Sequence, residues 1–72
     1  MRVYKRFFEV VLHRSREEEE TGRGKRLCHS YTFADAQCQW EQFQLSSLPE
    51  NAYSLGLVER PNDRMLAVRR AA

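Results

Sequence analysis

Thr32-Phe33-Ala34-Asp35-Ala36-Gln37-Cys38-Gln39-Trp40-Glu41-Gln42-Phe43-Gln44 is the stretch from which the rest of this chain can be read. Thr32 is a good N-cap, because its hydroxyl accepts from a backbone N–H that the first helical turn leaves unpaired. Asp35 stands three residues on, where a capping-box acid belongs. Phe33, Ala36, Trp40 and Phe43 recur at offsets of 3, 4 and 3, which makes one apolar stripe on a helix. Gln37, Gln39, Glu41, Gln42 and Gln44 fill the other side. Ser46, Ser47 and Pro49 end the helix, and Leu48 is expected to tuck beneath it.

A helix with one apolar stripe needs an apolar surface to lie on, and the flanking segments supply strands. Residues 3–14 read as a strand, with Tyr4, Phe8, Val10 and Leu12 on one parity and Lys5, Glu9 and His13 on the other. Phe7 and Val11 interrupt the alternation, so the outer face is not wholly wet. Residues 25–31 form a second strand, with Leu27, His29 and Tyr31 opposite in parity to Arg26, Cys28 and Ser30. After the helix, Tyr53, Leu55 and Leu57 alternate with Ser54, Gly56 and Val58. Arg60-Pro61-Asn62-Asp63 is a turn, and residues 65–70 return with Leu66 and Val68 on one face.

Between the first two strands lies Ser15-Arg16-Glu17-Glu18-Glu19-Glu20-Thr21-Gly22-Arg23-Gly24. Four consecutive glutamates followed by two glycines oppose strand structure, since like charges repel and glycine adds backbone freedom. The expectation is a mobile charged hairpin loop over 16–24, with residues 17–20 pairing across it to Arg23, Lys25 and Arg26. The sum is an α+β domain of order β-β-α-β-β. It is a four-stranded antiparallel sheet with one helix packed on one face against Phe8, Val10, Leu12, Leu55, Leu57 and Leu66. The other face is expected to stay largely open to solvent.

Length and composition agree with a single domain over 1–72. A hydrophobic fraction of 42% excludes a disordered chain, while a mean hydropathy of -0.71 requires a strongly polar surface. Stability without disulfide or metal is expected near ~3–5 kcal/mol. The two cysteines, Cys28 and Cys38, are too few for a secreted disulfide scaffold. The N-terminal stretch is broken by Arg2, Lys5, Arg6, Glu9 and Arg14, so neither a signal-peptide core nor a membrane span is expected. These features point to the cytoplasm.

Catalytic and metal chemistry find little footing. Cys28 and His29 are adjacent in a strand and face opposite ways. No CxxC or HxxxH spacing marks a zinc site, and His13 and His29 read as surface residues that face each other across the first hairpin. Gly22-Arg23-Gly24-Lys25 precedes a strand, whereas a phosphate loop needs a helix after it. No enzyme, cofactor or metal is therefore expected.

Binding remains. Ten of the twelve basic residues are arginine, whose planar fork suits bidentate contacts with carboxylate or phosphate. The candidate partner-binding residues are Arg23, Lys25, Arg26, Arg64, Arg69, Arg70 and Phe7. They suit a small non-enzymatic inhibitor or adaptor that docks on a larger protein or ribonucleoprotein complex. Two alternatives stand beside it: a small nucleic-acid-binding domain, with Tyr4, Phe7 and Tyr53 as stacking surfaces, and a self-associating structural protein, such as a homodimer that buries its open sheet face.

The order of elements resembles that of small phage-encoded inhibitors, among them anti-CRISPR proteins and bacteriophage inhibitors of host RNA polymerase. The charged hairpin, Thr32-Phe33-Ala34-Asp35-Ala36 opening a single helix, and the terminal hairpin carry the resemblance over residues 3–70. It implies a stoichiometric blocker in the host cytoplasm. Such a blocker occludes a nucleic-acid path on a host complex or clamps one of its subunits.

Overall fold

The computed structural model describes residues 5–70. The elements are β1 (Phe7–His13), α1 (Arg16–Thr21), β2 (Lys25–Ser30), α2 (Phe33–Leu45), β3 (Ser54–Arg60) and β4 (Arg64–Arg70). The four strands form one antiparallel sheet in the order β2-β1-β3-β4, as the α+β reading expects. The two ends of the chain's strand set, β2 and β4, are therefore the edges. Tyr4, assigned above to the first strand, lies outside the described residues.

α2 starts as its sequence dictates: Thr32 is extended at φ -122°, and its hydroxyl accepts from the Asp35 N–H at 3.2 Å. Its apolar stripe meets the sheet through Ala36 and Trp40, which pack in one core with Phe8, Val10, Leu12, Ala52, Leu55 and Leu57. Phe43, Leu48 and Leu66 are half-buried against the same core. Phe33 departs from the expectation. It is the first residue of α2 and stays 54% exposed although its ring meets Phe8 edge-on at 5.8 Å.

A bulge at Leu57/Val58 corrects the reading of the last strand. One extra residue there turns Leu66 and Ala67 both toward the helix-side core, and Met65 and Val68 to the other side. Leu66 and Val68 do not share a face.

The larger correction concerns the stretch expected to be an unstructured loop. Residues 16–21 form α1, capped at both ends. Ser15 is extended and accepts from the Glu18 N–H at 3.2 Å, while Glu18 accepts from the Arg14 N–H at 2.7 Å. Glu17, Glu18 and Glu19 occupy the first turn, where the positive end of the helix dipole offsets their mutual repulsion. Gly22 closes the helix in the left-handed region at φ 69°, and the Arg23 N–H donates to the Glu18 carbonyl at 2.9 Å. Gly24 is required for a second reason: at φ 139° it lies so close to β1 that a β-carbon would stand 2.2 Å from the Leu12 carbonyl oxygen.

So capped, the segment folds back over the sheet face opposite α2. That face, expected to be open, is covered over β1 and β3, while Val68 at the β4 edge stays 39% exposed. In β1 every residue from Phe8 to His13 is buried, whichever side it points to, and β3 is buried from Ser54 to Glu59.

Candidate interaction surface

The side chains beneath the 14–24 segment engage Arg26, Arg60 and Arg70 within the fold. Glu9 is nearly buried and accepts from two of them, Arg60 Nε at 2.6 Å and Arg26 Nη1 at 3.3 Å. Arg60 is only 18% exposed and also donates to the Gly22 carbonyl at 2.7 Å and pairs with Asp63. A single guanidinium thus ties β3, the β3–β4 turn and the end of α1 together. Glu19, on α1, accepts from Arg70 Nη2 at 2.6 Å and from the Ser54 hydroxyl at 2.9 Å. The Arg70 hydrogen bond holds the Glu19 carboxyl below the ordinary carboxylate range, with Ser54 adding to it and burial opposing.

These pairs replace the expected cross-loop pairing of residues 17–20 with Arg23, Lys25 and Arg26. Inside α1 only Arg16 and Glu20 pair, at helical spacing and 3.1 Å. Arg69 serves the helix-side core: its Nη1 donates to the Phe43 and Ser46 carbonyls at 2.6 and 2.7 Å, satisfying the C-terminus of α2. Arg26, Arg69 and Arg70, three of the assigned contact residues, are thereby engaged within the fold.

Arg23, Lys25 and Arg64 make no ion pair among the described residues. They do not share a patch. Lys25 begins edge strand β2 opposite Leu12, and Arg64 begins the other edge strand beside Glu59, which pairs with Phe8. Leu12 and Phe8 lie four residues apart along β1, so the two cations sit at diagonal corners of the sheet. Arg23 stands beside α1.

What the structure does gather is an aromatic end. Tyr31 is 68% exposed, its ring 6.5 Å from Phe7 and edge-on to His29 at 5.4 Å. Tyr31 and Phe33 flank an open cleft of about 720 Å³, lined also by Phe8, Lys5 and Arg6. Of the residues assigned to recognition, only Phe7 belongs to this end. Tyr31 and Phe33 went unassigned because both fit a pattern: one continues the second strand's parity and the other starts the helix stripe. The signal that distinguishes them is position. Tyr31 follows the last residue of β2 and Phe33 is the first of α2, where a pattern outlasts the surface it packs on. Arg6 is steered by Glu59 at 3.6 Å, which leaves its charge at the mouth of the cleft.

The remaining reactive groups are dispersed. Burial pushes the Cys28 thiol up, with a backbone hydrogen bond from Val10 opposing, and Cys38 stands exposed on α2. The two histidines do not face each other: His29 is opposite Glu9 and His13 opposite Ser54. His13 is not a surface residue, being wholly buried. Among the described residues no three of His, Cys, Asp and Glu cluster as a metal site would require. No described helix is long and apolar enough to cross a membrane. Comparison with known proteins returns no matching family model, no matching curated protein and no matching solved structure.

Proposed function

We propose that this chain is a non-catalytic binding module, an inhibitor or adaptor, that docks on a larger protein assembly in the cytoplasm through its aromatic end. The observation that carries the reading is the exposure of Tyr31 and Phe33 beside Lys5 and Arg6, around an open apolar cleft. Exposed aromatics rimmed by cations have the composition of interface hot spots. Charge complementarity specifies the occupant: a protein segment that places an apolar side chain against Phe8 and carboxylates toward Lys5 and Arg6. The free Cys28 and Cys38 support a reducing compartment. The opening of α2 and the terminal hairpin, which carry the resemblance to small phage-encoded inhibitors, suit a stoichiometric blocker.

The test compares two surface variants with the native chain in affinity capture from the organism that encodes it. Tyr31→Ser with Phe33→Ser should release a defined partner protein, whereas Arg23→Glu with Lys25→Glu should keep it. A partner that survives the aromatic change and is lost on the charge reversal overturns the assignment. A single-stranded oligonucleotide supplies the rival outcome, since stacking on Tyr31 beside Lys5 and Arg6 is how such strands are held. Retardation of that oligonucleotide at 50 mM salt, vanishing steeply as salt rises, replaces the protein partner with nucleic acid.

A further inference from the structure

The edge strands of a sheet present unpaired N–H and C=O groups, and proteins blunt them with bulges, lysine, other charged side chains or proline. The edges here are β2 and β4. On β2, Val10 stands opposite Cys28 and Val11 opposite Arg26, so Leu27 is an extra, unpaired residue. That bulge, with Lys25 and Arg26 before it, breaks up the first half of this edge. On β4 the extra residue is Leu66, since Leu57 faces Ala67 and Val58 faces Met65. The regular half of β4 ends in Arg69 and Arg70. It pairs with residues 54–57, at the far end of the sheet from the aromatic cleft.

Residues 28–31 carry none of these devices: no bulge, no proline, no lysine or arginine. They run in register with β1, placing Cys28, His29 and Ser30 opposite Val10, Glu9 and Phe8. Among the described residues, no backbone hydrogen bond outside the strand pairing involves residues 25–31. Alternate residues of an edge strand turn their N–H and C=O groups outward, so this stretch offers a short open ladder. It leads directly into Tyr31, one wall of the cleft.

Charge decides what pairs there. No carboxylate stands between Thr21 and Ala34 in the chain, and Lys5 and Arg6 line the cleft. A second copy laid antiparallel on residues 28–31 would bring its own Lys25 and Arg26 toward those cations, and opposed like charges destabilise a strand pair. An acidic strand meets no such repulsion. We propose that the protein segment seated in the cleft also adds to residues 28–31 as a short β-strand, with carboxylates beside the apolar residue that it places against Phe8. The added strand is antiparallel like the rest of the sheet, the slightly more stable pairing. Resting on the cleft as the docking end, strand addition fixes the direction of the bound chain: its anchor residue precedes the residues that pair with β2.

The test selects binders of the native chain from displayed random peptides. Enriched peptides should place an aromatic or large aliphatic residue next to Asp or Glu, followed by a stretch free of proline. In the tightest of them, N-methylation at alternate positions after the anchor should weaken binding about tenfold or more, and at the positions between leave it nearly unchanged. Binding that is lost with Tyr31→Ser and Phe33→Ser, yet is indifferent to N-methylation at every position, keeps the cleft and overturns the strand. Binding that survives Tyr31→Ser with Phe33→Ser overturns both. A selection that enriches nothing, or enriches peptides without acids, also overturns the proposal. So does a concentration-dependent dimer of the native chain that His29→Lys dissolves, which gives the edge to a second copy.

Discussion

Leu12 and His13 are neighbours in β1, both buried, and they point into interiors of opposite character. Leu12 faces a layer of Phe8, Val10, Trp40, Leu55 and Leu57, beneath a helix of thirteen residues. His13 faces a layer in which Val11 and Val58 are mixed with Glu9, Ser54 and Arg60, beneath a helix of only six. The first interior is held by removal of apolar surface from water, which is non-directional and tolerant of small rearrangements. The second is held by ion pairs and hydrogen bonds that must all be met, because a buried charge that loses its partner destabilises strongly. A six-residue helix does not form alone in water. α1 exists because Glu19, Gly22 and Arg23 are anchored to Arg70, Ser54, Arg60 and His13.

This contrast is broken most forcefully at Arg60. Arg60→Met leaves the buried Glu9 carboxylate with only the 3.3 Å contact from the more exposed Arg26, and should cost about 3 kcal/mol, close to the whole stability expected for a chain of this size. Chemical denaturation checks it. Glu9→Leu combined with Arg60→Met should recover most of the loss, because an apolar pair of similar volume needs no partner. A double variant as unstable as the single one means that Arg60 acts through the Gly22 and Asp63 contacts instead.

Gly56 tests how tightly the second interior is packed. Gly56→Ala drives a methyl group against His13 and Met65, and Met65 alone is flexible enough to yield, so a loss of about 1–3 kcal/mol is expected. A melting temperature unchanged by this substitution contradicts the close approach of the two side chains over the glycine.

The smallest effect is a matter of pH. Glu19 has a folded pKa below its unfolded value, so its contribution is complete above about pH 4.3 and is lost as pH falls through the lowered folded value. Arg70→Gln should therefore flatten the acid limb of the stability profile and leave the slope above pH 6 unchanged. Denaturation midpoints between pH 2 and pH 7 show whether it does.

The difference between the two interiors also explains what the sequence made legible. Phe33, Ala36, Trp40 and Phe43 announce α2 because helical periodicity is local, and Phe8, Val10 and Leu12 announce their strand for the same reason. The second interior rests on Glu9 with Arg60 and Glu19 with Arg70, pairs 51 residues apart, which no local period encodes. Ser15-x-x-Glu18 and Gly22 are start and stop signals for α1, but four successive glutamates obscure them. Burial of His13 leaves no trace at all, because alternation assigns it to the wet side. The candidate site was legible only at Phe7. Its neighbours Tyr31 and Phe33 satisfy a strand and a helix pattern, and exposure at an element's tip follows from where the partner surface ends.

The most direct test of the account is amide hydrogen exchange at Glu19, Gly22 and Arg23, whose N–H groups donate to Ser15, Glu19 and Glu18 carbonyls within α1 and its caps. An anchored α1 should protect the Arg23 amide about tenfold or more over a free peptide, and Arg70→Gln should reduce that protection. Exchange at the free-peptide rate in the native chain would contradict the account, leaving the 14–24 segment an open loop and the second face of the sheet bare.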